Sequence, residues 1–355
     1  MRHARLLPVV ATAACAAIVT TGLAVPASAD RVPAADFTSE VVVYDADTGR
    51  QVTIDLRTAT TTGTLADRRW SAGWDHVVPV DYTQYAAGNP ATLVYNSTTG
   101  RYAVVDHYDD GSTVTLAQGQ WSRGWDVITT IPANSQEPGR VDEVMLVDSE
   151  TGRVVVLETF GLDGGAGFRT VADQSSTAPV GTDTVLASEA FFRAPGDDVF
   201  REAALVFYDS RTGERSLGFV SSSYANTLVS VVVEDTLPAW SAGWDVVSRV
   251  EVDGTAGDEV LFYNARTGRS ILADLLDATY RYRVISQRPW SAGWDVTVVE
   301  ADGSLGSEVL LYNPETGRQV TVDLKRDGST GTYADRQWSR GWDSLVAIET
   351  EFFAD

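Results

Sequence analysis

Residues 290–324 read WSAGWDVTVVEADGSLGSEVLLYNPETGRQVTVDL, and this stretch decides the fold. It opens on Trp290-Ser291-Ala292-Gly293-Trp294-Asp295. From Trp294 to Val299 the chain alternates in the strand manner, and Glu308 to Tyr312 is the apolar run of a buried strand. Asn313-Pro314-Glu315-Thr316-Gly317 is a tight turn whose glycine tolerates a positive φ. Arg318 to Leu324 and Thr332 to Gln337 complete four strands.

The same unit recurs along the chain. Trp-Ser-Ala/Arg-Gly-Trp-Asp stands at 70–75, 121–126, 240–245, 290–295 and 338–343, and these five copies hold all ten tryptophans. A sixth, worn copy ends in Gly181-Thr182-Asp183. A second motif alternates with it, running from Tyr44, Tyr95, Val147, Tyr208, Tyr263 and Tyr312 to Arg50, Arg101, Arg153, Glu214, Arg269 and Arg318. Successive units are 51, 52, 61, 55 and 49 residues apart. Four strands per unit with turn signals between them predict the blades of a β-propeller. No segment has sustained helical periodicity.

The ends of the chain predict closure. The last unit stops after one strand, Ser344 to Glu351, while the first begins at the second strand, Glu40 to Asp45. One C-terminal strand plus three N-terminal strands complete a sixth antiparallel blade and remove an open edge. The expectation is an all-β, single six-bladed propeller over residues 30–355, where length alone suggests two domains.

Residues 1–29 read as a secretory signal peptide. Arg2 and Arg5 precede an apolar stretch from Leu6 to Val25, and Ala27-Ser28-Ala29 offers a cleavage site. Cys15 lies in this leader and is the only cysteine, so the remaining chain is expected to hold no disulfide and no thiolate metal site. Without the leader 25 basic residues face 49 acidic ones, a net charge of −24. Such a surface repels nucleic acid, and no later segment is apolar enough to insert in a membrane. A secreted, extracellular monomer is expected. His76 and His107 stand alone, which argues against paired-histidine zinc motifs and a Ser-His-Asp triad.

The repeated pattern of Gly-Trp-Asp, apolar strand, acidic loop and Tyr-Asp/Asn-x-x-Thr-Gly-Arg resembles the FG-GAP/VCBS-type repeats of secreted bacterial propellers. That resemblance implies the propeller fold and, in many members, a calcium loop of three alternating aspartates between the first and second strands. The matching loops here, 81–91, 132–142, 189–202, 251–259 and 300–308, lack three carboxylates at alternate positions. They are degenerate for a cation that takes six to eight oxygens, so no cofactor is expected, with calcium the one to consider.

Blade geometry puts the tryptophan crossovers and the Thr-Gly-Arg turns on one rim. The tryptophans (Trp70, Trp74, Trp121, Trp125, Trp240, Trp244, Trp290, Trp294, Trp338 and Trp342) then either wedge neighbouring blades or form platforms for sugar rings. The aspartates Asp75, Asp126, Asp183, Asp245, Asp295 and Asp343 read as turn caps, or as carboxylates ringing a channel mouth. Repeat symmetry breaks at Gly161 to Phe168 and in the loop Ala190 to Arg201, which offers Phe191, Phe192, Arg193, Phe200 and Arg201 as ligand-binding residues. Tyr82, Tyr85, Phe352 and Phe353 are expected on the same far face.

With no catalytic motif evident, the leading expectation is a non-catalytic binding propeller for glycans or a cell-surface protein. A carbohydrate-active enzyme using paired carboxylates and a docking partner of another secreted enzyme are the alternatives.

Overall fold

The computed structural model describes residues 38–350 apart from 57–62, 81–90, 109–110, 132–142, 163–164, 193–198, 224–225, 253–258, 276–281 and 300–306. These residues form twenty-four strands in six four-stranded antiparallel sheets, with no helix among them. The first blade joins β24 (Ser344–Thr350) to β1 (Thr38–Tyr44), β2 (Arg50–Asp55) and β3 (Gly63–Arg69). The second runs β4 (His76–Val80), β5 (Ala91–Tyr95), β6 (Arg101–His107), β7 (Thr113–Gln120), and the third β8 (Val127–Ile131), β9 (Glu143–Asp148), β10 (Arg153–Leu162), β11 (Gly165–Gln174). The fourth runs β12 (Thr184–Phe192), β13 (Val199–Tyr208), β14 (Arg215–Ser223), β15 (Asn226–Leu237), and the fifth β16 (Val246–Val250), β17 (Glu259–Tyr263), β18 (Arg269–Leu275), β19 (Tyr282–Pro289). The sixth is β20 (Asp295–Val299), β21 (Glu308–Tyr312), β22 (Arg318–Leu324), β23 (Thr330–Gln337).

The leading strands β24, β4, β8, β12, β16 and β20 each neighbour the next, and β20 returns to β24. This closes the ring. Closure takes the expected form: β24 pairs antiparallel with β1 over seven residues, from Thr38 opposite Thr350 to Tyr44 opposite Ser344.

Each blade is sandwiched between two others, so its second strand is buried on both faces. Val41 to Tyr44 and Glu308 to Tyr312 are buried at every position. The core accordingly consists of layers between blades. One such layer joins the sixth and first blades through Val41, Val43, Ile54, Leu310 and Trp342.

Both symmetry-breaking stretches run into strand hairpins, which corrects the loop expected in the fourth unit. Gly161 to Phe168 lies largely within the β10–β11 hairpin, with Gly161 opposite Ala166 and Leu162 opposite Gly165. In the loop foreseen from Ala190 to Arg201 the described residues at both ends are strand: β12 reaches Phe192, which pairs with Arg201 on β13, and 193–198 lie outside the described residues. In both places the ladder lengthens because the facing strand supplies pairing partners for the aromatic and apolar residues at its end. The strands that lengthen belong to the third and fourth blades, on either side of the worn crossover. Their outer strands touch, and the Gln174 side chain accepts a hydrogen bond from Val231 N at 2.7 Å.

Candidate functional site

The crossovers and the Thr-Gly-Arg turns meet on one rim, as their hydrogen bonds record. Trp70 N donates to Gly49 O at 2.7 Å, and Trp338 N donates to Gly317 O at 2.8 Å. The turn glycine is required twice over. Gly317 has a φ of 76°, and a side chain there would strike the Trp338 carbonyl.

The tyrosines, the second tryptophans and most of the turn arginines of the repeated motifs have partners inside this rim. Tyr44, Tyr95, Tyr208, Tyr263 and Tyr312 are fully buried. Their hydroxyls donate to the carbonyls of Ser71, Ser122, Ser241, Ser291 and Ser339 at 2.6 to 2.9 Å. Burial pushes Tyr208 up to about 12, so the hydroxyl stays a donor at any ordinary pH. The second tryptophan of each crossover is buried and lies under an arginine of the blade it enters. Arg50 covers Trp342, Arg101 Trp74, Arg153 Trp125, Arg269 Trp244 and Arg318 Trp294, at 5.0 to 5.9 Å from the ring centre. Arg50, Arg153 and Arg318 are further held by bidentate pairs to Asp67, Asp173 and Asp335.

The first tryptophans are buried or half-buried beside the tyrosines. Trp70, Trp290 and Trp338 tilt against Tyr44, Tyr263 and Tyr312, and Trp121 stacks on Tyr102 at 4.2 Å with Phe168 edge-on. Trp240 has Arg215 at 4.5 Å and Phe262 at its edge. The ten tryptophans therefore spend ring surface on the chain's own arginines and aromatics. A double-mutant cycle of Trp244→Phe and Arg269→Met should return a coupling of about 0.5–1 kcal/mol in urea unfolding, the size of a surface cation–π contact. Strict additivity would show that the stacking carries no energy.

The worn crossover is a coordinated replacement. Where sister units have tyrosine, tryptophan, tryptophan and arginine, this junction has Val147, Ala178, Thr182 and Glu214. Thr182 Oγ1 donates to Pro179 O at 2.7 Å, doing for this crossover carbonyl what the tyrosine hydroxyl does elsewhere. With no second tryptophan to cover, the arginine moves one place, to Arg215, and stacks on Trp240 of the next crossover. Burial pulls Arg215 down to about 10.

The six aspartates stand at the exposed entry to the innermost strands, around the mouth of the ring. Five are caps, each accepting from the first residue of its own blade's turn. Asp75 takes Ser97 N at 2.8 Å, Asp126 Ser149 N at 2.8 Å, Asp183 Ser210 N at 3.0 Å, Asp245 Ala265 N at 2.7 Å and Asp343 Ala46 N at 2.7 Å. In the sixth blade that place belongs to Pro314, which has no N–H to give. Asp295 keeps contact with solvent, but desolvation on its protein-facing sides, reinforced by Asp343, pushes its carboxyl up to about 6. The sequence reading passed over this exception, although its signal, a proline where five sisters have serine or alanine, was in plain view. His76 follows Asp75 on β4, half-buried beside Tyr95 at 5.8 Å. Burial lowers its pKa against the pull of Asp75 and Asp126, which keeps the imidazole neutral.

The side chains of the ligand-binding residues expected on the other face lie outside those described. Phe191, Phe192, Phe200 and Arg201 lie at the ends of β12 and β13. Arg193, Tyr82, Tyr85, Phe352 and Phe353 lie outside the described residues, as do most of the loops weighed for calcium. Among the described residues no group of three His, Cys, Asp or Glu is placed to hold a metal ion.

No family model matches the chain, and no curated protein does. Solved structures do. A putative 6-phosphogluconolactonase from Bacteroides fragilis aligns with a TM-score of 0.52 at 9% identity, over 88% of this chain and 98% of that one. The periplasmic gluconolactonase PpgL of Pseudomonas aeruginosa aligns with a TM-score of 0.51 at 13% identity, over 88% and 99%. At these identities the likeness establishes the fold. The expectation of a non-catalytic binding propeller is nevertheless withdrawn: two of the propellers that the chain resembles are named as a putative 6-phosphogluconolactonase and a gluconolactonase, and the aromatic surface meant for a ligand is largely taken up within the rim.

Proposed function

We propose that the protein is an exported hydrolase of neutral sugar lactones, working at the crossover-rim mouth of its ring. The observation that carries this reading is the chemistry of that mouth. Six carboxylates and one neutral imidazole, His76, stand on the starts of rigid strands, which is what general acid–base addition of water to a strained ester needs. The names of the two propellers aligned above supply the substrate class. Charge narrows it. A chain of net charge −22, with a ring of aspartates at the site, repels a phosphorylated lactone and tolerates a neutral one. The leader at 1–29 and the periplasmic setting of one of those propellers support export, and the FG-GAP/VCBS-like repeats fit an exported propeller.

Acid release from glucono-1,5-lactone and from its 6-phosphate, followed in a pH-stat and corrected for spontaneous opening, tests both parts. The neutral lactone should be hydrolysed with a kcat/KM at least about tenfold higher. No acceleration of either lactone removes the functional reading, and a preference for the phosphate removes the charge argument.

A further inference from the structure

We propose that Asp295 is the acid–base group of this hydrolysis, set apart from its five sister aspartates by Pro314. The assignment rests on the lactonase reading above. It starts from the sixfold repeat, which supplies five internal controls. In those blades the rim carboxylate is occupied by the N–H of the first turn residue. A carboxylate so engaged has a lone pair already committed to the turn and is less free to take a proton from water.

The sixth turn keeps the geometry of its sisters. Gly317 N donates to Asn313 O at 2.7 Å, and Asn313 Nδ2 donates to Gly293 O at 2.8 Å. Gly341 N donates to Pro314 O at 3.1 Å, as Gly73 N does to Ala46 O at 2.7 Å in the first blade. Pro314 therefore sits where Ala46 sits, and the difference reduces to one missing donor. Asp295 accepts no hydrogen bond among the described residues, and its neighbour Asp343 adds a like charge. The result is a solvent-reaching carboxyl with free oxygens, poised near neutrality.

One such group suffices for lactone opening. Ionised Asp295 takes a proton from water as the water oxygen bonds to the lactone carbonyl carbon. The tetrahedral oxyanion collapses, the bond from the acyl carbon to the ring oxygen breaks, and that oxygen leaves with the proton Asp295 had gained. The sum is lactone plus water giving a hydroxy acid, and Asp295 ends ionised.

The test uses two variants and two readouts. Asp295→Asn should lower kcat/KM for glucono-1,5-lactone about a hundredfold or more. Pro314→Ala restores the turn donor found in the first and fifth blades. It should move the midpoint of the rising limb of the pH–rate profile from near pH 6 down by about one unit. Titration of the Asp295 carboxyl carbon by NMR should follow the same shift with no substrate present. Hydrolysis that survives Asp295→Asn overturns the assignment while leaving the functional reading intact. A carboxyl titration unmoved by Pro314→Ala overturns the role of the proline. A wild-type protein inert toward lactones overturns the functional reading, and the assignment with it.

Discussion

Ending the chain at Asp343 should leave no folded monomer. The deletion removes β24, whose seven residues pair with β1 and which buries Val346 and Ile348 against Val42. Uncovering three such side chains costs roughly 5 kcal/mol. The lost ladder comes on top of this, and a whole domain is stable by only about 5–15 kcal/mol. The loss is also topological, because the inner edge of β1 is left bare and β4 and β20 lose the strand between them. Such an edge recruits other chains. Size-exclusion chromatography and circular dichroism of the truncated protein should report aggregate or unfolded chain. A peptide of residues 338–355 added during refolding should restore the monomer by strand addition. A truncated monomer melting within a few degrees of the full chain would show that the ring does not depend on its terminal strand.

Acid should weaken the second blade first, through His107. This side chain is 2% exposed, with Nε2 at 2.9 Å from Thr92 Oγ1 and Nδ1 without a hydrogen-bond partner among the described residues. Trp70 lies 6.0 Å away, and the charge that opposes protonation is Arg68 on β3. Burial and that charge pull His107 down to about 4 from an ordinary 6.5. The folded state thus prefers the neutral ring, and the unfolded chain binds the extra proton. Its contribution is complete above pH 6.5 and is lost as pH falls toward 4, by about 3 kcal/mol in total at 1.36 kcal/mol per pH unit. The first and sixth blades hold Val41 with Leu56, and Val309 with Leu324, at the equivalent places. Copying them with Thr92→Val plus His107→Leu removes both polar partners together, which avoids orphaning either. Urea unfolding at pH 7 and pH 4 should give a wild-type loss about 3 kcal/mol larger than that of the double variant. Parallel losses would place the acid sensitivity elsewhere.

The rim was more legible than the site. Glu308 to Tyr312 and Arg318 to Leu324 are strands over the residues that periodicity assigns them, since blade strands repeat one local pattern. That the turn arginines Arg50, Arg101, Arg153, Arg269 and Arg318 stack on tryptophan or pair with acidic neighbours is legible in the alternation of the two motifs, but which arginine covers which ring is not. The stacking itself joins a crossover to a strand of the blade it enters. A one-dimensional pattern reports aromatic residues but not how much of each face is covered, which is why the sequence leaves both the wedge and the platform reading of the tryptophans open. Strand length was also misjudged: the hairpins around Leu162 and Phe192 extend by pairing, which depends on the partner strand as well as on local composition.

By itself the sequence determined the number of blades, their strand order, the closing strand and the rim to which each motif belongs. All of these follow from spacing, turn chemistry and the strands left over at the two ends. Tertiary structure alone decided which repeated residues are already spent on one another and which one is not. The donor for each capped rim aspartate comes from the turn of its own blade, about twenty residues along the chain or, for Asp343, from the opposite end of it. The blade must therefore pair before the missing N–H of Pro314 sets Asp295 apart.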